Sequence, residues 1–105
     1  DGSTEFLEAF NSLTALNREH RITLNAPLLT MSKAAIVQEG VRLGVDFSKT
    51  WTCYSSRDDG LADATTPSSS MRVKGFIDAK YCDPIQYVQQ EKIDELYRQN
   101  KCKEI

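Results

Sequence analysis

The sequence is poor in the side chains that most often carry chemistry or hold a fold together covalently. His20 is the only histidine, Trp51 the only tryptophan, and the cysteines number three, Cys53, Cys82 and Cys102. A small, odd set of cysteines at no recognisable ligand spacing argues against a secreted disulfide scaffold. It points instead to a reducing, cytoplasmic setting. With one histidine, a base–nucleophile pair has little to draw on. Flanked by Arg18 and Arg21, His20 reads as a solvated or helix-capping residue. No apolar run approaches the roughly 20 residues that a membrane span needs. The chain opens on the polar Asp1-Gly2-Ser3-Thr4-Glu5, which is no signal-peptide pattern and suits a segment from within a longer protein. Nor does one charge dominate: 13 basic and 15 acidic residues leave a net −2, with no field to draw in a nucleic-acid backbone.

What is there describes an ordinary small globular chain. An apolar share of 40% and a charged share of 27% over 105 residues allow one modest core. Residues 4–19 have the pattern of an amphipathic helix, with Phe6, Phe10 and Leu13 at helical spacing and Thr4 as its cap. Ile22 and Leu24 alternate with polar neighbours and predict a short strand that ends before Pro27. The run TMSKAAIVQEGVRLGV is the clearest helix. Ser32 caps it, Ile36, Val37, Val41 and Leu43 form its buried stripe, and Gly44 stands where a left-handed residue is wanted. Residues 55–70 are almost wholly polar and predict a long loop. Asp83-Pro84 has the form of a cap followed by proline at the first helical position. It predicts a last helix running to about Asn100, with Asp94 and Arg98 as a favourable pair four apart. Together these predict an α/β chain, predominantly helical, forming one edge of a larger sheet protein.

Few positions carry a chemical signal of their own. Asp58, Asp59 and Asp63 could attract a cation, although their spacing fits no EF-hand and a solvated acidic loop is the default. Lys33 follows a helix cap, where backbone N–H groups and the helix dipole favour an anion and an ammonium could complete a phosphate site. Trp51 and Tyr54 read as packing residues beside Cys53, and the serine run at residues 68–70 as polar filler.

The pieces line up with a family. NAPLLTMSKAAIVQEGVRLGVDFSKTWTCY resembles the carboxyl-terminal half of the 7-cyano-7-deazaguanine synthases, the ExsB or QueC family of queuosine biosynthesis. MRVKGF, then Ala79, Asp83-Pro84 and Tyr87, are similar to that family's later positions, and DGSTEFLEAF to an earlier one. The resemblance covers residues 1 to about 87 in order. It implies the edge of a Rossmann-like ATP pyrophosphatase fold, divided as a last helix–strand–helix unit over residues 1–50, a zinc-loop region over 51–76, and a terminal helix and tail over 77–105. It also implies a ligase that uses ATP with Mg to convert 7-carboxy-7-deazaguanine and ammonia into a nitrile. The family's ATP-binding loop, S-G-G-x-D-S, does not occur in this sequence, so another part of the protein would have to supply it.

Carried over position by position, the resemblance puts Ser32, Lys33 and Arg72 near the nucleotide phosphates. The family's zinc motif, C-x8-C-x2-C-x2-C, starts at Cys53, and its three later positions fall on Asp63, Thr66 and Ser69, with one extra residue after Cys53. Hydroxyls are poor zinc ligands at neutral pH, and one thiolate with one carboxylate is too few, so no zinc is expected. The expected partners are a small deazapurine in the complete protein and no nucleic acid or membrane, with a homodimer left open. The alternative, from another class, is a metal-free, non-catalytic module kept for dimerisation or partner binding.

Overall fold

The computed structural model describes residues 2–54 and 57–105, and it divides the chain into two compact units, Asp1–Met31 and Ser32–Ile105. Residues 55 and 56, the start of the expected polar loop, lie outside the described residues.

In the first unit, helix α1 spans Thr4–Thr14. It is capped by Ser3 rather than Thr4: the Ser3 hydroxyl accepts from the Phe6 amide at 3.1 Å. The expected continuation to residue 19 is absent, because Asn17 turns its side chain back on the amides of Glu19 and His20. The apolar spacing of Phe6, Phe10 and Leu13 is helical as expected, yet no residue of α1 is buried. The strand expected at Ile22 and Leu24 does not form. Leu24 exchanges both of its backbone hydrogen bonds with the side-chain amide of Asn11, at 2.7 and 3.0 Å, which satisfies the backbone without a ladder.

The second unit carries the core. Helix α2 spans Lys33–Arg42, with the Ser32 hydroxyl accepting from the Ala35 amide at 3.1 Å. Gly44 at φ +77° closes the helix as its spacing predicts. Leu43, expected in the buried stripe, is exposed, while Val37 is buried. A short 3₁₀ turn, Phe47–Lys49, leads to an extended stretch, and helix α3 spans Pro67–Asp78. This is the main departure from the expected long loop: Thr66-Pro67 is itself a cap followed by proline at the first turn. Conversely, Asp83-Pro84 starts no helix, and the last helix, α4, spans Gln90–Gln99. Within it Arg98 pairs with Glu95, and Asp94 accepts from Gln90, in place of the expected Asp94–Arg98 pair.

Helix α3 lies between two apolar clusters. Val73 packs with Cys53, Ala62, Ile85, Tyr87, Ile93 and Tyr97, whereas Phe76 and Ala79 pack with Val37. At the α2–α3 contact a side chain on Gly75 would meet the Lys33 Cβ at 2.8 Å, so the bare glycine lets the start of α2 sit against α3. Helices α3 and α4 end alike, each on a lysine with positive φ, Lys80 and Lys101. The segments that follow join in a parallel bridge between Tyr81 and Lys103. A second bridge joins Ala62 and Tyr87. Among the described residues these isolated bridges are the only β pairing, so the chain is mostly helical with few strand residues, as expected. No helix among the described residues is long and apolar enough to cross a membrane.

Candidate functional site

The first sequence-predicted group, Ser32 and Lys33, stands where α2 begins. The Ser32 hydroxyl is engaged with the Ala35 amide, so it orders the helix start and holds one N–H of the first turn. Lys33 is exposed, and its stem crosses Gly75 to border a small cleft of about 170 Å³. Val37, Phe47, Thr52, Arg72 and Phe76 also line this cleft. Ligand pockets generally run from about 300 to 1,000 Å³, so the cleft suits a phosphate-sized group or one part of a larger ligand. Its chemistry is an ammonium and two threonine hydroxyls, Thr50 and Thr52, over an apolar floor.

Arg72 reaches the same cleft from α3, but it is no exposed helix residue. Its side chain is 7% exposed, and that of its partner Asp83 is fully buried. The guanidinium donates to both carboxylate oxygens of Asp83, at 2.6 and 2.9 Å, to the Thr52 hydroxyl at 3.2 Å and to the Phe47 carbonyl at 3.3 Å. It also lies 5.4 Å from the centroid of the Phe76 ring. A guanidinium has five donors, so these bonds leave one for a ligand. Arg72 is thus chiefly a framework residue that shapes the wall beside Lys33.

Asp83 is the residue that sequence reasoning missed. Besides Arg72 it accepts from the Tyr87 hydroxyl at 2.6 Å and the Ile85 amide at 3.2 Å, and its own amide donates to the Tyr97 hydroxyl at 3.1 Å. Burial, reinforced by the Asp83 carboxylate, pushes the Tyr87 hydroxyl well above the usual tyrosine range, and burial does the same for Tyr97. The consequence has a definite sign. Below the unfolded tyrosine pKa of about 10 both states keep the proton. Above it the unfolded chain releases protons that the folded chain retains, so stability falls as pH rises. We predict a loss approaching about 1.4 kcal/mol per pH unit for each buried tyrosine above pH ~10. Urea unfolding midpoints measured from pH 8 to 11 check this, and a flat profile would contradict it.

The second predicted group is the zinc set. Cys53 is buried in the core cluster, and its Sγ lies 3.9 Å from the Thr66 Oγ1. The Thr66 hydroxyl donates to the Asp63 carbonyl at 2.9 Å, so a lone pair of its oxygen is left for the thiol. Ser69, expected to be polar filler, is 1% exposed, and its Oγ has no hydrogen-bond partner among the described residues. Asp63 is drawn elsewhere: its carboxylate accepts from the Thr65 hydroxyl at 2.6 Å, the Thr65 amide at 2.9 Å and the Gln89 amide group at 3.1 Å. The Thr65 hydroxyl leads in holding that carboxyl below its ordinary pKa. One thiol, two hydroxyls and an engaged carboxylate do not fit a tetrahedral zinc ion. Among the described residues no three His, Cys, Asp or Glu side chains are grouped so as to hold a metal. Trp51 and Tyr54 are exposed rather than packed, since the chain turns Cys53 inward there and the Trp51 indole donates to the Cys53 carbonyl at 2.7 Å. In the acidic stretch, Asp59 is paired with Arg57 at 2.6 Å.

Comparison with known proteins agrees with the motif pattern. The family model described as queuosine biosynthesis protein QueC matches residues 1–80. The chain is 37% identical over 92 residues to the 7-cyano-7-deazaguanine synthase of Geobacter sp. (strain M21), covering 83% of this chain and 41% of that protein. It is 39% identical over 93 residues to the enzyme of that name from Coxiella burnetii (strain RSA 493 / Nine Mile phase I), covering 84% and 41%. Against that of Rickettsia rickettsii (strain Sheila Smith) the identity is 37% over 93 residues, covering 84% and 41%. The matched region is therefore less than half the length of these relatives. No solved structure matches the chain significantly.

Proposed function

Because this chain belongs to the QueC family of queuosine biosynthesis proteins, we propose that it forms the carboxyl-terminal part of a 7-cyano-7-deazaguanine synthase. Such an enzyme is an ATP-consuming ligase, with a Rossmann-like pyrophosphatase fold to which residues 1–50 contribute an edge unit, acting in the cytoplasm. The observation that carries the reading is the cleft at the start of α2, which Lys33, Thr50, Thr52 and Arg72 line together. A carboxylate resists attack by ammonia until its oxygen becomes a good leaving group, and adenylation achieves that. Lys33 would neutralise phosphate charge as it shifts toward the departing pyrophosphate, while the Ser32-capped amides of α2 add their dipole. The volume of the cleft suits only part of a nucleotide, in keeping with an ATP-binding loop contributed from outside this sequence.

The test is nitrile formation by the complete protein supplied with 7-carboxy-7-deazaguanine, ammonia, ATP and Mg, followed by mass spectrometry. Lys33→Ala is expected to lower kcat/KM by roughly 10- to 100-fold, with Lys33→Arg closer to wild type. A complete protein that yields no nitrile would overturn the ligase reading, and an unchanged Lys33→Ala would remove Lys33 from the site. A second reading, a non-catalytic module for dimerisation or partner binding, draws on the replaced zinc cysteines at Asp63, Thr66 and Ser69.

A further inference from the structure

We propose that residues 62–69 are held against Cys53 in this protein without a metal ion, with two of the four cage positions, Cys53 and Thr66, still meeting. The convergence is visible in two side chains. Cys53 Sγ and Thr66 Oγ1 stand 3.9 Å apart although 13 residues separate them in sequence. Ser69 follows one turn along α3, on the face that also carries Val73 into the Cys53 cluster. Its hydroxyl is desolvated and answers no other group among the described residues. A position chosen for packing alone would favour alanine, which carries no oxygen to strand. A buried orphan oxygen there is a cost that packing alone does not explain.

The closure that a metal would otherwise supply comes from backbone and amide contacts. Ala62, wholly buried, receives one hydrogen bond and gives another across its bridge: its amide donates to the Gln86 carbonyl and its carbonyl accepts from the Val88 amide, both at 2.9 Å. The Gln89 side chain clamps the next two residues, accepting from the Ala64 amide at 2.9 Å and donating to Asp63 at 3.1 Å. These bonds tie the segment to the stretch before α4. The Gln89 bond also engages Oδ1 of the Asp63 carboxylate.

Two arms test the proposal on the full chain. Protein produced in zinc-supplemented medium is analysed for metal, and its unfolding midpoint is measured with and without EDTA. We expect well under one zinc per chain and no shift with chelator. Stoichiometric zinc, or a midpoint lowered by EDTA, overturns the metal-free latch. In the second arm the variant Asp63→Cys/Thr66→Cys/Ser69→Cys is expected to take up one zinc and become chelator-sensitive, as four thiolates around one ion would. Cobalt(II) gives the same variant a thiolate charge-transfer band as a direct signature. Should the triple variant not fold, Thr66→Cys/Ser69→Cys keeps the hydrogen bonds of Thr65 and Gln89 to the Asp63 carboxylate and is read by the same band. A folded variant that binds neither metal overturns the convergence of the positions.

Discussion

Replacing Asp83 with alanine is expected to destabilise the chain by about 3–5 kcal/mol, the cost of leaving a buried charge without its partner. The charge left behind is that of the buried Arg72. With Asp83 gone, its remaining partners are the Thr52 hydroxyl, the Phe47 carbonyl and the face of Phe76, all without negative charge. The same substitution strands the Tyr87 hydroxyl and frees the Ile85 amide, both of which Asp83 now serves. Total stabilities of small domains are about 5–15 kcal/mol, so this one change is expected to leave the chain marginal. Urea unfolding measures it. Asp83→Asn, which keeps the shape and some hydrogen bonds, should lose less. Replacing Arg72 and Asp83 together by apolar residues of similar volume should recover much of the loss, because then no charge remains buried. A loss below about 1 kcal/mol for Asp83→Ala would mean that Arg72 reaches solvent.

Phe76→Ala is expected to cost a similar amount, about 3–5 kcal/mol, by a different route. The Phe76 ring is 2% exposed and fills the space between α2 and α3 together with Val37 and Ala79. It meets the Phe47 ring edge-on, with centroids 5.1 Å apart and planes at 84°, and it carries the Arg72 guanidinium on its face. Truncation therefore removes buried apolar area, an aromatic pair and one of the neighbours that steady Arg72. It also opens the floor of the cleft beside Lys33. Thermal or urea unfolding reports the first effect. Phe76→Leu, which keeps most of the volume, should cost clearly less. Equal losses for both variants would show that the ring geometry rather than the filled space is what matters.

The two cap-and-proline signals show where local reading succeeds and where it stops. Thr66-Pro67 and Asp83-Pro84 look alike in sequence, yet only the first starts a helix. At Thr66 the backbone takes the extended cap conformation although the hydroxyl bonds to Asp63 and caps no amide, and helix α3 follows directly. At Asp83 the carboxylate does accept from an amide of its own segment, that of Ile85, but it is also held by Arg72 and Tyr87, and the helix waits until Gln90. The strand expected at Ile22 and Leu24 fails for a related reason. Alternation is present, but Leu24 pairs with the Asn11 side chain rather than with another strand, and one amide satisfies one residue. By contrast, the cap, span and glycine stop of α2 were all legible, because each acts within a single turn.

By itself the sequence determined the family, whose model matches residues 1–80, and it determined the donors on offer beside Cys53, one carboxylate and two hydroxyls at Asp63, Thr66 and Ser69. Only the tertiary structure decided which polar residues go inside. Arg72 has the appearance of a surface or phosphate-binding residue until Asp83 is brought against it, and Ser69 of filler until α3 turns it into the core. The physical reason is the range of the forces. Caps, turns and periodicity are settled by neighbours within a few residues, whereas burying a charge or a hydroxyl depends on a partner from another part of the chain, and on whether that partner is there at all.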